Sequence, residues 1–296
     1  MTLSYTPYDG SSHPFTIGLS QLDPDRWIEP DADLAAQLAE KRQILDRYGD
    51  LVFRAEPGTE AAQQEVLEAL AAYLPDHHPA LYRRNGTRIE VAGTMVDLED
   101  DATSPLQRAG LMVQDDLVIM RKGKDGWRIA AAFLAFPSSW SLEEKFGKVM
   151  GEVHAPVPDF QAGSRNAGLI ERMFDNLSPG RIVVRWNWSV NWRRELYHPL
   201  PASLEERTAV PARDAVIRVE RQTLRKLPVC GDILFTIRIY LDPVAAIMAQ
   251  PNAADLAASL ADQLERLTDA QAQYKGLVSR RHDLIGLLRA ALPPTA

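Results

Sequence analysis

Apolar residues recur at helical spacing in the first part of the chain and at two-residue spacing further on, so the pattern predicts helices first and strands later. In DADLAAQLAEKRQILDRYG, Asp31 is a candidate cap and Leu34, Leu38, Ile44 and Leu45 mark an apolar face. A second helix is expected over 60–74, where Thr59 can cap and Val66, Leu67, Leu70 and Leu74 share a stripe. The DHHP that ends it places His77 beside His78, whose side chains must diverge, and predicts a surface turn. TRIEVAGTMVDL (87–98) alternates like a strand, and VIMRK (118–122) with WRIAAAFLAF (127–136) predicts a hairpin about a glycine-containing turn. Helices are expected at about 142–150 and 167–177, then strands at 181–190, 215–227 and 232–241, then an Ala/Leu/Gln-rich helical region over 253–292. This order predicts an α+β fold, an antiparallel β-sheet with helices packed on one side. The expected organisation is one unit over 1–296, with a helical region 1–82, a core 83–245 and a helical region 246–296.

The last two strands flank LPVCGD, a Pro/Gly turn that predicts a hairpin. With Lys226 opposite Asp232, Glu220 pairs with Arg238 and Arg218 with Tyr240 on a largely polar face. The inner face then carries Ile217, Val219, Arg221 and Thr223 beside Ile233, Phe235, Ile237 and Ile239, and a one-residue slip would exchange the faces. Arg221 stands out there, because a guanidinium on an apolar face needs a buried partner or a ligand. On the strand at 181–190, Trp186 and Trp188 lie with Ile182, Val184 and Val190, and Arg185 with Asn187 and Ser189 on the other side. Three of the six tryptophans fall between 186 and 192. Such a cluster is either core or the lining of a flat pocket for a planar cofactor or an amine.

SWSLEEKFGKVMGEVHAPVPDF, which begins at Ser139, delivers His154 past a helix end. Ser141 and Glu144 form a capping box, Gly151 is the expected stop, and Pro156 and Pro158 keep the following segment out of helix and sheet. His154 is therefore a candidate metal ligand, with a loop histidine bonded to a carbonyl as the alternative.

Hydrophobic residues make up 46% and charged residues 25%, as in a globular chain that folds without staples. A net charge of -7 disfavours nucleic acid and anionic membranes as partners. Cys230 is the only cysteine, so no disulfide, four-cysteine zinc site or four-cysteine iron–sulfur cluster can be built from this chain alone. It lacks a GxGxxG element, a signal-like start and an apolar run long enough to span a membrane, and the expected location is cytoplasmic.

The chain resembles the haem-dependent oxidative N-demethylase family, in particular its haem-bearing α subunit. The stretches that carry the resemblance are FTIGLSQLDPDRWIEPD, LMVQDDLVIM, FPSSWSLEEKFGKVMGEVHAPVP, RWNWS and ERQTLRKLPVCGDILFTIRIY. It implies a PAS-like haem-binding core, haem b with its iron held by one axial histidine, and oxygen on the opposite face. The implied reaction is oxidation of a small methylated amine such as dimethylamine with release of formaldehyde. Electrons would come from NADPH through a flavin/iron–sulfur reductase subunit carrying FMN and a 2Fe–2S centre. His154 best matches the axial ligand, with Trp186, Trp188 and Arg185 around the cofactor. Arg221 or Arg238 would face oxygen, and Asp115, Asp116 and Glu220 are candidate partners for a protonated amine. Cys230 as a thiolate ligand is the weaker alternative, since a hairpin tip is exposed. A haem sensor, a small-ligand-binding protein and a haem-free interaction subunit are the competing functions, because this fold can also serve them.

Overall fold

The computed structural model describes residues 3–290. Along the chain run β1 (Ser20–Leu22), α1 (Leu34–Tyr48), β2 (Phe53–Ala55), α2 (Glu60–His77), β3 (Tyr82–Asn85), β4 (Arg88–Val91), β5 (Thr94–Asp97) and α3 (Pro105–Gly110). Then come β6 (Asp116–Gly123), β7 (Gly126–Phe133), α4 (Leu142–Lys145), α5 (Met150–Val153), α6 (Arg165–Asn176) and β8 (Ile182–Asn191). The last are α7 (Leu204–Ala209), β9 (Val216–Lys226), β10 (Ile233–Pro243), α8 (Ala253–Arg266), α9 (Asp269–Tyr274) and α10 (Arg281–Ala290).

The fold is α+β, built on a seven-stranded antiparallel sheet in the order β1-β8-β9-β10-β6-β7-β2. Its five central strands run 2-1-5-4-3 when numbered among themselves from β7 to β8, with α4 to α6 inserted between the second and third. That is the layout implied by a PAS-like core. The helices cover both faces rather than one. Leu117, Ile119 and Leu234 pack with Leu38, Val66 and Leu70 of α1 and α2, while Val118, Met120 and Ile237 pack on the other side with Ile170 and Phe174 of α6. Consecutive strand residues point to opposite faces, and helices pack on both, so the central strands are largely buried on both sides.

Local chemistry explains where the elements differ from expectation. The strand predicted over 87–98 is two strands, because Ala92 and Gly93 both take positive φ (51° and 72°) and close a two-residue hairpin turn. The single helix expected at 142–150 is two one-turn helices, broken at Gly147 (φ 75°). Ser141 does cap the first, accepting from the Glu144 amide at 3.2 Å. Gly151 lies inside the second helix instead of stopping it. After His154 the chain makes successive turns, with Val157 N–H bonded to the His154 carbonyl at 2.8 Å. The tail is three helices, and its residues 291 and 292 lie outside the described residues.

The hairpin register also differs, by one residue. Leu227 N–H donates to Asp232 O (2.8 Å), and Gly231, at φ 77°, donates to Leu227 O (3.0 Å), so Lys226 pairs with Ile233 and not with Asp232. Arg238 is opposite Arg221, and Glu220 is opposite Ile239. The expected Glu220–Arg238 pair therefore does not form, and each face of β9 lies beside the opposite face of β10 from the one expected, Arg221 with Thr236, Arg238 and Tyr240 and Glu220 with Phe235, Ile237 and Ile239.

Beneath the sheet, α1 docks through a lysine. Lys41 is fully buried, donates to the carbonyls of Gly110 (3.2 Å), Val113 (3.0 Å) and Asp115, and lies 3.9 Å from Asp116. Gly110 is required there, since a Cβ would meet the Phe133 ring at 2.2 Å. Burial pushes Lys41 down to about 8, against the pull of Asp116 and Asp115, so these contacts only offset its desolvation. Removing one partner strands the others. Lys41→Ala is expected to lose about 3–5 kcal/mol in urea unfolding, and a loss below about 1 kcal/mol would contradict the docking role.

Candidate functional site

A cavity of about 620 Å³ lies over the sheet, within the range of cofactor pockets, about 300–1,000 Å³. Because side chains alternate along a strand, Arg185, Asn187 and Ser189 of β8 face it with Glu220, Gln222 and Leu224 of β9. Phe235 and Ile237 of β10 complete the floor. Met150, Val153 and His154 line it from α5 and its cap, and Ile170 and Met173 from α6. Phe15, Ile17 and Leu19 come from the N-terminal segment, and Tyr274 and Lys275 from the end of α9. One end is apolar, where Leu224 and Phe235 meet Val118, Met120 and Ile129. The other end holds Glu220, Asn187, Arg185 and His198.

His154 is the C-cap of α5, with its backbone at φ −94°, ψ 0°. Its Nδ1 lies 3.0 Å from the Met150 carbonyl. A carbonyl only accepts, so Nδ1 carries the proton and Nε2 keeps its lone pair. Burial pushes the imidazole down to about 4; the Met150 carbonyl opposes this, while Lys145 and Arg185 add to it. At neutral pH the ring is therefore uncharged, with one nitrogen fixed by a backbone carbonyl. Metal-binding histidines use that arrangement to orient the other nitrogen. His198 also lines the cavity, but Asn191 Nδ2 donates to its Nε2 at 3.0 Å, so that lone pair is occupied.

Glu220 is held from below and beside. Its Oε2 accepts from Asn187 Nδ2 (3.2 Å) and Gln222 Nε2 (2.9 Å), and its Oε1 is 3.7 Å from Arg218 Nε. Arg218 itself is buried and anchored on the Phe136 carbonyl at 2.5 Å. Burial lowers the pKa of Arg185, whose Nε has no hydrogen-bond partner and whose Nη2 reaches Thr16 O at 3.3 Å.

Of the residues singled out by sequence, His154, Arg185 and Glu220 meet in this cavity. Trp186, Trp188, Arg221 and Arg238 do not, because they occupy the opposite face of the sheet. Trp188 belongs to the apolar cluster of α8 and α10, and Trp186 packs on Tyr5 at 4.0 Å. Arg221 donates to the carbonyls of Trp27 (3.0 Å) and Arg26 and lies 3.3 Å from Glu29. Arg238 pairs with Asp31 and Gln37. The buried salt bridge considered for Arg221 is thus what the fold forms. Asp116 accepts from the amides of Ala135 (2.8 Å) and Phe136 (2.9 Å), outside the cavity lining, and Asp115 is buried near Arg238, Arg221 and Lys41. Cys230 sits at the hairpin tip, where burial and then Glu65 push its thiol up to about 12. Neither position nor acidity suits an axial thiolate.

Sequence reading missed Lys275, His198, Asn187 and Gln222. The two amides follow from β8 and β9 once the register is known. Lys275 and His198 come from irregular chain outside the strands and carry no local signal.

Among the described residues no group of three or more His, Cys, Asp or Glu could enclose a metal. A haem needs less, because the porphyrin fills the equatorial positions and the protein supplies an axial ligand. An uncharged imidazole with a free nitrogen, in a cavity apolar at one end and polar at the other, fits that group. Fold and site thus define an α+β protein with an amphipathic cavity lined by His154. Residues 18–285 match the family described as haem-dependent oxidative N-demethylase, alpha subunit-like, and the chain belongs to it. Membership indicates haem dependence, an oxidative N-demethylase-like activity and, for an alpha subunit, partner subunits.

His154 and His198, each held near 4, are neutral in the fold but protonate near 6.5 when the chain unfolds. The unfolded state binds more protons between those values, so stability falls as pH drops from 6.5 to about 4. Thermal melts across that window are expected to show the fall, with a shallower dependence in His198→Asn. An unchanged slope in the variant would contradict a buried neutral His198.

Proposed function

We propose that the chain is the haem-bearing subunit of an oxidative N-demethylase, which oxidises a small methylated amine such as dimethylamine to formaldehyde and the shorter amine. The observation that carries this reading is His154, an uncharged imidazole with Nδ1 tied to the Met150 carbonyl and Nε2 available at the cavity. Haem b, when bound, would supply the oxygen-activating redox chemistry. The electrons would come from NADPH through a flavin/iron–sulfur partner in the cytoplasm. No helix among the described residues is long and apolar enough to cross a membrane.

This chain's residues have three tasks in that reading. His154 holds the iron. Glu220, its carboxylate steered by Asn187, Gln222 and Arg218, accepts the protonated amine and keeps its methyl group over the floor. Arg185 takes the oxygen-facing place that the family resemblance gave to a strand arginine, because it is the strand arginine that lines the cavity, whereas Arg221 and Arg238 lie on the far face in ion pairs with Glu29 and Asp31.

His154→Ala is expected to lose most of the haem, measured as pyridine haemochrome, and full retention with unchanged spectra would contradict the assignment. Arg185→Ala should keep haem and weaken oxygen binding by about ten- to hundredfold, the worth of a charged hydrogen bond. Arg221→Ala should leave oxygen binding unchanged in stopped-flow mixing while lowering thermal stability. The reverse pattern would return the oxygen contact to Arg221.

A further inference from the structure

Lys275 reaches the polar end of the cavity from the end of α9, and the proposed reaction with a simple amine has no use for it. Its Nζ donates to the Trp188 carbonyl at 2.5 Å and lies 4.9 Å from the Trp188 ring and 5.2 Å from Phe15. An ammonium has three donors, so two remain. Glu220 and Arg185 are the charged groups that act on it, yet no ion pair within 4 Å joins Lys275 to a carboxylate among the described residues. Burial, the larger effect, holds it down to about 8.

Glu220 is similarly incomplete. Both amides bind its Oε2, leaving Oε1 with only a long approach from Arg218 Nε. A carboxylate has room for about four hydrogen bonds. Glu220 lies opposite Asn187 on β8, and the next residue, Trp188, gives its carbonyl to Lys275. An unsaturated acid and an unsaturated base therefore share one end of the cavity without contacting each other. A dialkylammonium ion would complete Glu220 alone and leave two of the Lys275 donors unused.

The other cations around the cavity are engaged elsewhere. Arg193 pairs with Glu206, and Arg207 is spent on the carbonyls of Ala202 and Gly276. Lys145 lies 4.7 Å from the Trp140 ring.

We propose that the substrate is a zwitterion, an N-methylated amino acid whose ammonium group is bound by Glu220 and whose carboxylate is bound by Lys275. This rests on the haem demethylase reading and narrows its substrate class.

The test is calorimetric titration of the haem-containing protein with N-methylglycine and with dimethylamine, after the Soret band has established the haem content. N-methylglycine is expected to bind about ten- to hundredfold more tightly, as a charged hydrogen bond provides. Lys275→Met should abolish that preference while retaining haem and the weak affinity for dimethylamine, and Lys275→Arg should restore it. Equal affinity for the two amines, or an undiminished preference in Lys275→Met, would overturn the zwitterion site and leave the demethylase reading standing. Loss of haem from Lys275→Met would overturn it by assigning the lysine to a propionate. A wild-type chain that takes up no haem would overturn both.

Discussion

The turn that joins β9 to β10 sets what the cavity contains. Leu227 N–H to Asp232 O and Gly231 N–H to Leu227 O close it, and Glu65 of α2 accepts from the amides of Val229 (2.8 Å) and Cys230 (3.0 Å) at its tip. With the turn fixed, Glu220, Gln222 and Leu224 face the cavity and Arg221 and Thr223 face away. Register has no half-measures in a sheet buried on both sides, since a slip of one residue in β9 would turn Glu220 and Gln222 away from the cavity and Arg221 and Thr223 into it.

Each face then receives its own set of charges. On the far face Arg221 and Arg238 meet Glu29, Asp31 and backbone carbonyls, and Thr223 and Thr236 bond to each other at 2.7 Å. Those groups join the N-terminal segment and α1 to the sheet. On the cavity face Arg185, Glu220 and Lys275 keep unused hydrogen-bonding capacity, and His154 keeps a lone pair. A fold tolerates such groups at a cavity where a ligand completes them, and burial explains why both His154 and Lys275 are shifted toward their neutral forms.

Much of this was legible in the sequence, for identifiable reasons. Strong β-periodicity located β6 to β10 within one to three residues, and the proline-bracketed segment singled out His154. The alternation of RIVVRWNWSV put Arg185 and Asn187 on one face, although nothing local could say that this face, and not the tryptophan face, bounds the cavity. That choice is made by tertiary packing, because α8 and α10 cover Trp188. The register of β9 and β10 was inferred from a Pro/Gly turn whose closing hydrogen bonds are set by Gly231 at positive φ, and Lys226 opposite Asp232 was equally plausible as a charge pair. Lys275 could not be found from pattern at all, since it is one lysine at the frayed end of a short helix.

In the proposed function the imidazole of His154 is the protein's bond to haem iron. Resonance Raman spectroscopy of the ferrous protein, prepared with ordinary and with nitrogen-15 histidine, tests it most directly. An iron–imidazole stretch is expected that shifts with the isotope and is absent from His154→Gly, returning when free imidazole is added to that variant. An isotope-insensitive spectrum, or the same stretch persisting in the variant without added imidazole, would contradict it.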